Sequence, residues 1–301
     1  MPELPEVEVI RRGLAGVLTD KVIIEVTVLE QRSFPGFNAR TPGFIWGARV
    51  DQVKRRGKML MIELIPRVKT RVAASVYPHV LMVHLRMTGQ LIYRSEDNDG
   101  FAGGFASDSL VGSLPDKSTR VIIDFIDGSK LFFNDQRKFG YMKLMRQDLL
   151  DQDSFLSSLG PEPLDETLSW QDLRKSIGRT STTSIKAALL DQKRVAGIGN
   201  IYADESLFRA KVDPRRSVAS LSPVEFRRLL VAIRACLRQS IADGGSTARN
   251  YVNSEGLKGE FLDLHAAVYG RTGLPCPHCG TPITKIRVAG RGTHLCEKCQ
   301  V

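Results

Sequence analysis

The sequence predicts an α+β multidomain protein, and three observations carry the prediction. The hydrophobic period changes from about two residues to about 3.6 near the middle of the chain. Two Cys-x2-Cys pairs lie within the last 26 residues. The chain has 301 residues with 42% hydrophobic content, enough for more than one core.

The first element is an amphipathic helix in which Leu4, Val7, Leu14 and Leu18 recur at helical spacing. Pro2 and Pro5 are tolerated at its start, and Glu3, Glu6 and Glu8 suit the positive end of its dipole. Strand-like runs follow at 22–29, 50–53, 59–64, 80–87, 121–125 and 131–133. Asp127-Gly128 between the last two is the signature of a two-residue hairpin. These runs predict a sandwich or a barrel. Residues 95–118, rich in Gly, Ser and Asp and without periodicity, read as a long mobile insertion away from any chemistry.

Leu159-Gly160-Pro161-Glu162-Pro163 punctuates the passage from strands to helices. Helical periodicity then covers 170–177, 184–190, 201–209 and 223–242. Ser222-Pro223-Val224-Glu225 starts the longest of these, with serine at the N-cap, proline at the first helical position and a glutamate placed for a capping box. No internal repeat interrupts the series.

Charge is distributed unevenly. Residues 1–170 carry 22 Lys+Arg against 22 Asp+Glu, and residues 171–301 carry 21 against 11, so the whole excess of +10 lies in the second part. A polyanion such as nucleic acid fits that asymmetry, as does an ordinary solvated surface. No window reaches the roughly 18 apolar residues of a membrane span, and the acidic N-terminus is unlike a secretory signal. The expected location is therefore the cytoplasm.

Cys276, Cys279, Cys296 and Cys299 form two knuckles separated by 16 residues. Two knuckles can close a tetrahedral four-thiolate zinc site, and in a cytosolic setting this is preferred over two disulfides. Such a closed site leaves no position for water, so one structural Zn2+ is expected to hold a small β-hairpin carrying Arg287, Arg291 and His294. His278 reads as a surface residue, and Cys236 as a buried thiol in a helix.

Gly197-Ile198-Gly199-Asn200-Ile201 precedes a helical run and places backbone N–H groups at a helix N-terminus, a geometry suited to phosphate. Lys186 heads the preceding helix and is expected to add positive charge there. A Gly-x-Gly turn by itself also serves as a tight connection. At the other end, removal of Met1 would leave Pro2 as a secondary amine with an α-amine pKa near 8. Such an amine can form a cationic imine with a sugar and promote elimination of phosphate, with Glu3 as proton shuttle; the same residues also read as an ordinary helix start, which spacing alone favours.

The opening PELPEVE, Lys58 within RRGK, HLRMTG at 84–89, DQRKFG at 135–140, LGPEPL at 159–164, GIGNIYADESLF at 197–208 and VYGRTGLPC at 268–276 run the length of the chain. Together with the cysteine ribbon they resemble the formamidopyrimidine-DNA glycosylases. The resemblance implies an N-terminal β-sandwich with flanking helices over 2–150, a helix-two-turn-helix domain with a base-capping loop over 151–262, and a zinc finger over 263–301. DNA would bind in the cleft between. It further implies a monomer that excises oxidised purines from damaged duplex DNA and cuts the strand. The residues so implied are Pro2 as nucleophile, Glu3 as general acid/base, Glu6 as a second carboxylate and Lys58 as a phosphate contact. Met87, Arg137 and Phe139 would fill the gap left by an extruded nucleotide. Asn200 and Arg291 would bind phosphate. The chain departs from the family at Arg86 and Gln136, where glycine and proline are common, and at 253–261, which matches the base-capping loop only loosely. The related endonuclease VIII-type glycosylases, which act on oxidised pyrimidines, and a non-catalytic DNA-binding protein are the alternatives.

Overall fold

The computed structural model describes residues 1–38, 41–66, 77–95, 100–105, 107–110, 112–178, 180–246, 251–252 and 259–301. The chain divides into two compact units, each with its own hydrophobic core. Unit 1 comprises Met1–Pro2, Glu6–Ser157 and Thr247–Gly259; unit 2 comprises Glu3–Pro5, Ser158–Ser246 and Glu260–Val301.

The elements of unit 1 are α1 (Leu4–Leu18, from Glu6 onward), β1 (Ile23–Val28), α2 (Pro42–Ile45), β2 (Arg49–Arg56), β3 (Met59–Ile65), β4 (His79–His84), β5 (Gly89–Arg94), β6 (Ala102–Phe105), β7 (Thr119–Phe125), β8 (Lys130–Asp135), β9 (Tyr141–Arg146), α3 (Ser154–Ser158) and β10 (Tyr251–Val252). They build two antiparallel sheets, ordered β1-β7-β8-β5-β6-β10 and β2-β3-β4-β9. Alternation turns Val53, Ile62 and Val83 of one sheet and Val26, Leu91 and Ile123 of the other into a single core, covered by Val7, Ile10, Leu14 and Leu18 of α1. The unit is thus a sandwich, not a barrel. Leu4 belongs instead to the core of unit 2.

Three strand-region expectations need correction. The run at 80–87 ends as a strand at His84, because residues 85–88 turn, closed by the Gly89 N–H donating to Leu85 O (2.9 Å). The hairpin after β7 is one residue wider than Asp127-Gly128 suggests. Gly128 (φ 82) donates to Phe125 O, and Phe125 N–H donates to Ser129 O, a type I turn closed by a glycine bulge. The supposed structureless insertion contributes β6, which bonds β5 and β10. Polar, glycine-rich composition hid β6 because a strand paired on both sides draws its hydrogen bonds from neighbours rather than from its own side chains.

Unit 2 contains α4 (Trp170–Ile177), α5 (Ile185–Leu190), α6 (Asn200–Arg209), α7 (Pro223–Ala242), α8 (Phe261–His265), β11 (Thr284–Val288) and β12 (Arg291–Leu295). Its core gathers Leu173, Leu189, Tyr202, Leu207, Phe226 and Ile233. β11 and β12 form the expected hairpin, turned by Ala289 (φ 49) and Gly290 (φ 75) as a type I′ loop requires. Buried Glu205 on α6 accepts from the N–H groups of Ala267 (3.0 Å), Val268 (2.9 Å) and Tyr269 (2.8 Å), fastening the segment before the cysteines to that helix. No helix among the described residues is long and apolar enough to cross a membrane.

The capping box of α7 forms as its sequence predicts, with Ser222 and Glu225 each bonding the other's backbone N–H. Arg216, bonding the Glu225 carboxylate, lowers its pKa to about 2 against the opposing effect of partial burial. A depressed carboxylate pKa contributes stability that is complete above the unfolded value near 4.5 and lost as pH falls toward 2. Ser222→Ala should cost about 1 kcal/mol in urea unfolding at pH 7. Glu225→Gln should lower the urea midpoint at pH 7 and lose most of that difference by pH 2.5.

Candidate active site, DNA-contact cluster and metal centre

Glu3 is buried, and its carboxylate occupies the N-terminus of α6. Oε1 accepts from the Ile201 N–H (3.1 Å) and Oε2 from the Tyr202 N–H (3.5 Å). The same loop holds the chain one residue on, with the Leu4 N–H donating to Gly197 O (3.0 Å). The approach is so close that a Cβ on Gly199 would lie 2.2 Å from Glu3 Cδ. The Gly-x-Gly turn therefore serves a different purpose from the expected phosphate site: the anion at this helix N-terminus is the protein's own carboxylate. Pro2, immediately before it, is half-buried, and Met1 is 56% exposed.

Glu6 is buried on α1. Two residues on, Glu8 is bonded by Arg11 (2.9 Å), Arg12 (3.0 Å) and Arg55 (3.2 Å); burial alone would raise its pKa, but these guanidinium groups bring it below the usual range. Arg55 also donates to Gly57 O (2.8 Å), so one carboxylate links α1 to the two-residue β2–β3 loop that carries buried Lys58. His84 is a residue that the sequence did not single out. It lies against Tyr141 and Phe155, and burial, with the positive charges of Arg86 and Lys58 adding to it, lowers its pKa to about 3. Its Nδ1 accepts from the Arg86 N–H (3.1 Å), which leaves the proton of the neutral ring on Nε2. A lone histidine in a strand pattern carries no such signal in sequence.

Met87, Arg137 and Phe139 come together although 50 residues separate the first two. Arg137 Nη1 lies 3.2 Å from Met87 Sδ, and its guanidinium stands 4.8 Å over the Phe139 ring. Met87 is 43% and Phe139 53% exposed, an apolar pair held out in solvent around a cation.

In unit 2, Lys186 is not where phosphate can reach it. Fully buried, its Nζ donates to Thr293 Oγ1 (2.7 Å) and Gly292 O (3.0 Å) and pairs with Asp204 Oδ1 at 2.6 Å. The expectation of a direct contact is corrected: the cation is internal, compensating Asp204 and holding β12. Asn200 Nδ2 donates to the same Gly292 carbonyl (3.0 Å), using one of its two N–H groups. Arg291, the residue before, is exposed. His294 is buried rather than displayed on the hairpin, its N–H donating to Asp204 Oδ2 (2.9 Å). His278 is exposed and stacks on Phe208 with ring centroids 5.2 Å apart.

The Sγ atoms of Cys276, Cys279, Cys296 and Cys299 lie within 4.8 Å of one another. Separations of 3.9 Å (Cys276–Cys299) and 3.5 Å (Cys279–Cys296) rule out disulfides and match the edge, about 3.8 Å, of a tetrahedron with Zn–S bonds near 2.3 Å. Burial and the three neighbouring sulfurs push the Cys299 thiol up to about 12. Four sulfurs so close ionise together only around a cation, so the donor set fits one structural Zn2+.

Residues 1–142 match the formamidopyrimidine-DNA glycosylase N-terminal domain, 159–252 the H2TH domain of the same enzymes, and 273–301 the zinc finger found in FPG and IleRS. Formamidopyrimidine-DNA glycosylases of Listeria innocua and Bacillus cereus are each 38% identical, across all of this chain and 100% and 99% of theirs. The chain belongs to the formamidopyrimidine-DNA glycosylase family. The fold agrees: a Lactococcus lactis Fpg complexed with abasic-site DNA superimposes with a TM-score of 0.82 at 32% identity, covering 99% of both chains. The L. lactis enzyme bound to DNA containing N7-benzyl-Fapy-dG gives the same values. Of the family's base-capping segment, expected at 253–261, residues 253–258 lie outside the described residues.

Two outcomes are expected. Gly199→Ala should force the Glu3 carboxylate off α6 and abolish slow hydrogen exchange at the Ile201 and Tyr202 amides; unchanged protection would contradict the close approach. Cys296→Ser should lower bound zinc, measured by elemental analysis, and lower the melting temperature, since metal binding here is folding free energy.

Proposed function

We propose that this chain is a base-excision repair enzyme that removes oxidised purines, 8-oxoguanine and formamidopyrimidines, from duplex DNA and then cleaves the strand as a lyase. Family membership, with relatives matching over their full length and a neighbour solved on N7-benzyl-Fapy-dG DNA, supports the substrate class. The observation that carries the mechanism is the seating of Glu3 on α6 beside the proline that begins the processed chain.

With Met1 removed, the Pro2 nitrogen attacks C1′ of the damaged nucleotide, the base leaves, and the secondary amine becomes a cationic imine. The imine acidifies C2′. Loss of that proton expels the 3′ phosphate, and a second elimination expels the 5′ phosphate. Glu3 gives a proton to the sugar ring oxygen and returns it between steps, with Glu6 as the second carboxylate. Lys58, Asn200 through its second N–H, and Arg291 bind phosphates. Met87, Arg137 and Phe139 enter the duplex, the guanidinium bonding the widowed base while the apolar side chains fill the gap. Zinc is structural and takes no part in bond breaking. Three functional regions, 2–150, 151–262 and 263–301, act together in a monomer residing with the nucleoid in the cytoplasm.

Borohydride reduction during incubation with 8-oxoguanine duplex should trap a covalent adduct mapping to Pro2, and Pro2→Gly should largely abolish it. Equal trapping by a chain whose N-terminus remains blocked would refute the mechanism. A panel including an oxidised pyrimidine tests the substrate class, because an L. lactis Fpg has also been solved with oxidised-pyrimidine DNA, at 32% identity and a TM-score of 0.81. Affinity should fall steeply with salt, and Arg291→Ala should reduce the slope of log K against log salt by about 0.9, one phosphate contact.

A further inference from the structure

We propose that Asp135 is a positioning residue for nucleotide extrusion: its buried side chain ties the turn at 85–88 to the turn at 136–140 and so presents Met87, Arg137 and Phe139 as one rigid wedge. This rests on the reading of those three residues as the wedge.

Asp135 ends β8 and is fully buried opposite Gly89, the first residue of β5. Donors from both turns converge on its carboxylate. Oδ1 accepts from the Thr88 hydroxyl on one turn and from the Arg137 N–H (3.1 Å) on the other, while Oδ2 accepts from the Gly140 N–H (2.7 Å). The Arg137 N–H is shared with Thr88 Oγ1 (3.1 Å), which closes the link between the turns a second time. From below, Arg120 Nε donates to the Asp135 carbonyl (2.8 Å) and anchors the node to the sheet.

The chemistry explains why a carboxylate is needed. Two backbone N–H groups and a hydroxyl are turned inward at the base of a solvent-exposed tip, and leaving buried donors unmet is costly. A carboxylate offers four lone-pair directions on two oxygens and accepts from all of them at once; an amide offers one accepting oxygen and presents N–H to N–H at the other. The chain between the bonds has little freedom. A Cβ on Gly140 would lie 2.8 Å from Phe133 Cζ and 3.1 Å from Asp135 Oδ2, and Lys138 is held at φ 57.

Each wedge residue lies within a few bonds of this node: Met87 adjoins Thr88, Arg137 is two residues beyond Asp135, and Phe139 adjoins Gly140. Extrusion must overcome stacking and pairing worth a few kcal/mol, so a tip free to fold aside would lose the work it has to do. Nothing in Asp135 touches DNA on this account; it acts through the wedge.

The test uses full-length, zinc-loaded protein and duplex DNA with 2-aminopurine beside 8-oxoguanine, whose fluorescence rise in stopped flow reports unstacking. Asp135→Asn and the near-isosteric Thr88→Val should slow that rise about tenfold or more, as a misplacement of about 1 Å does in other preorganised sites. Trapping on single-stranded abasic DNA, where no stack is opened, should stay within about twofold of wild type. Normal unstacking by both variants, while Met87→Ala and Phe139→Ala slow it, would overturn the role of Asp135 and leave the wedge intact. Equal loss on duplex and single strand by both variants would also overturn it, as general destabilisation. If Met87→Ala and Phe139→Ala leave unstacking unchanged, the wedge reading itself fails, and the role of Asp135 with it.

Discussion

The contact on which the rest depends is a carboxylate seated on a helix end. The first N–H groups of α6 have no intrahelical partner, and Glu3 accepts from two of them, at Ile201 and Tyr202. This fixes Glu3 ahead of the buried turns of α1. In the proposed mechanism the nucleophile, Pro2, directly precedes this anchored residue. The glycine at 199 and the Leu4 to Gly197 bond belong to the same constraint, since any side chain at 199 would enter the space that Glu3 fills.

A second theme is the internal use of charge. Burying ions is costly unless every lone pair and proton is met, and such groups are strongly destabilising to break. Lys186 and Asp204 lie 2.6 Å apart as a buried ion pair, and their oxygen and nitrogen neighbours include Gly292, Thr293 and His294 of the metal hairpin. Glu205, one residue along α6, fastens 267–269 in the same manner. The hairpin, too small for a core of its own, is therefore held by four thiolates at one end and by paired charges at the other. Arg291 stands on that support, and so does the amide of Asn200.

The same logic places Asp135 at the base of the exposed Met87, Arg137 and Phe139 group. Exposed apolar side chains are ordinary when scattered singly; here two of them, Met87 and Phe139, gather around one guanidinium. Their bases are fixed by buried polar bonds, while the tips meet through sulfur, guanidinium and ring.

Much of this was legible in the amino-acid order because it depends on local pattern. Period two and period 3.6 located six of the twelve strands and all five helices of six or more residues among the described residues, the Ser222 and Glu225 pair announced its capping box, and cysteine spacing announced the zinc site, since ligands on tight turns are near one another in sequence. What tertiary structure alone decided are the contacts between residues far apart in the chain. No local rule pairs Glu3 with Ile201, Thr88 with Asp135 or Lys186 with Thr293. Hence a glycine turn whose sequence suits phosphate holds a carboxylate, a lysine expected at DNA is an internal cation, and a segment that reads as loop contains β6. A charged side chain reads the same in sequence whether it faces water or a buried partner, and only the fold determines which of the two it meets.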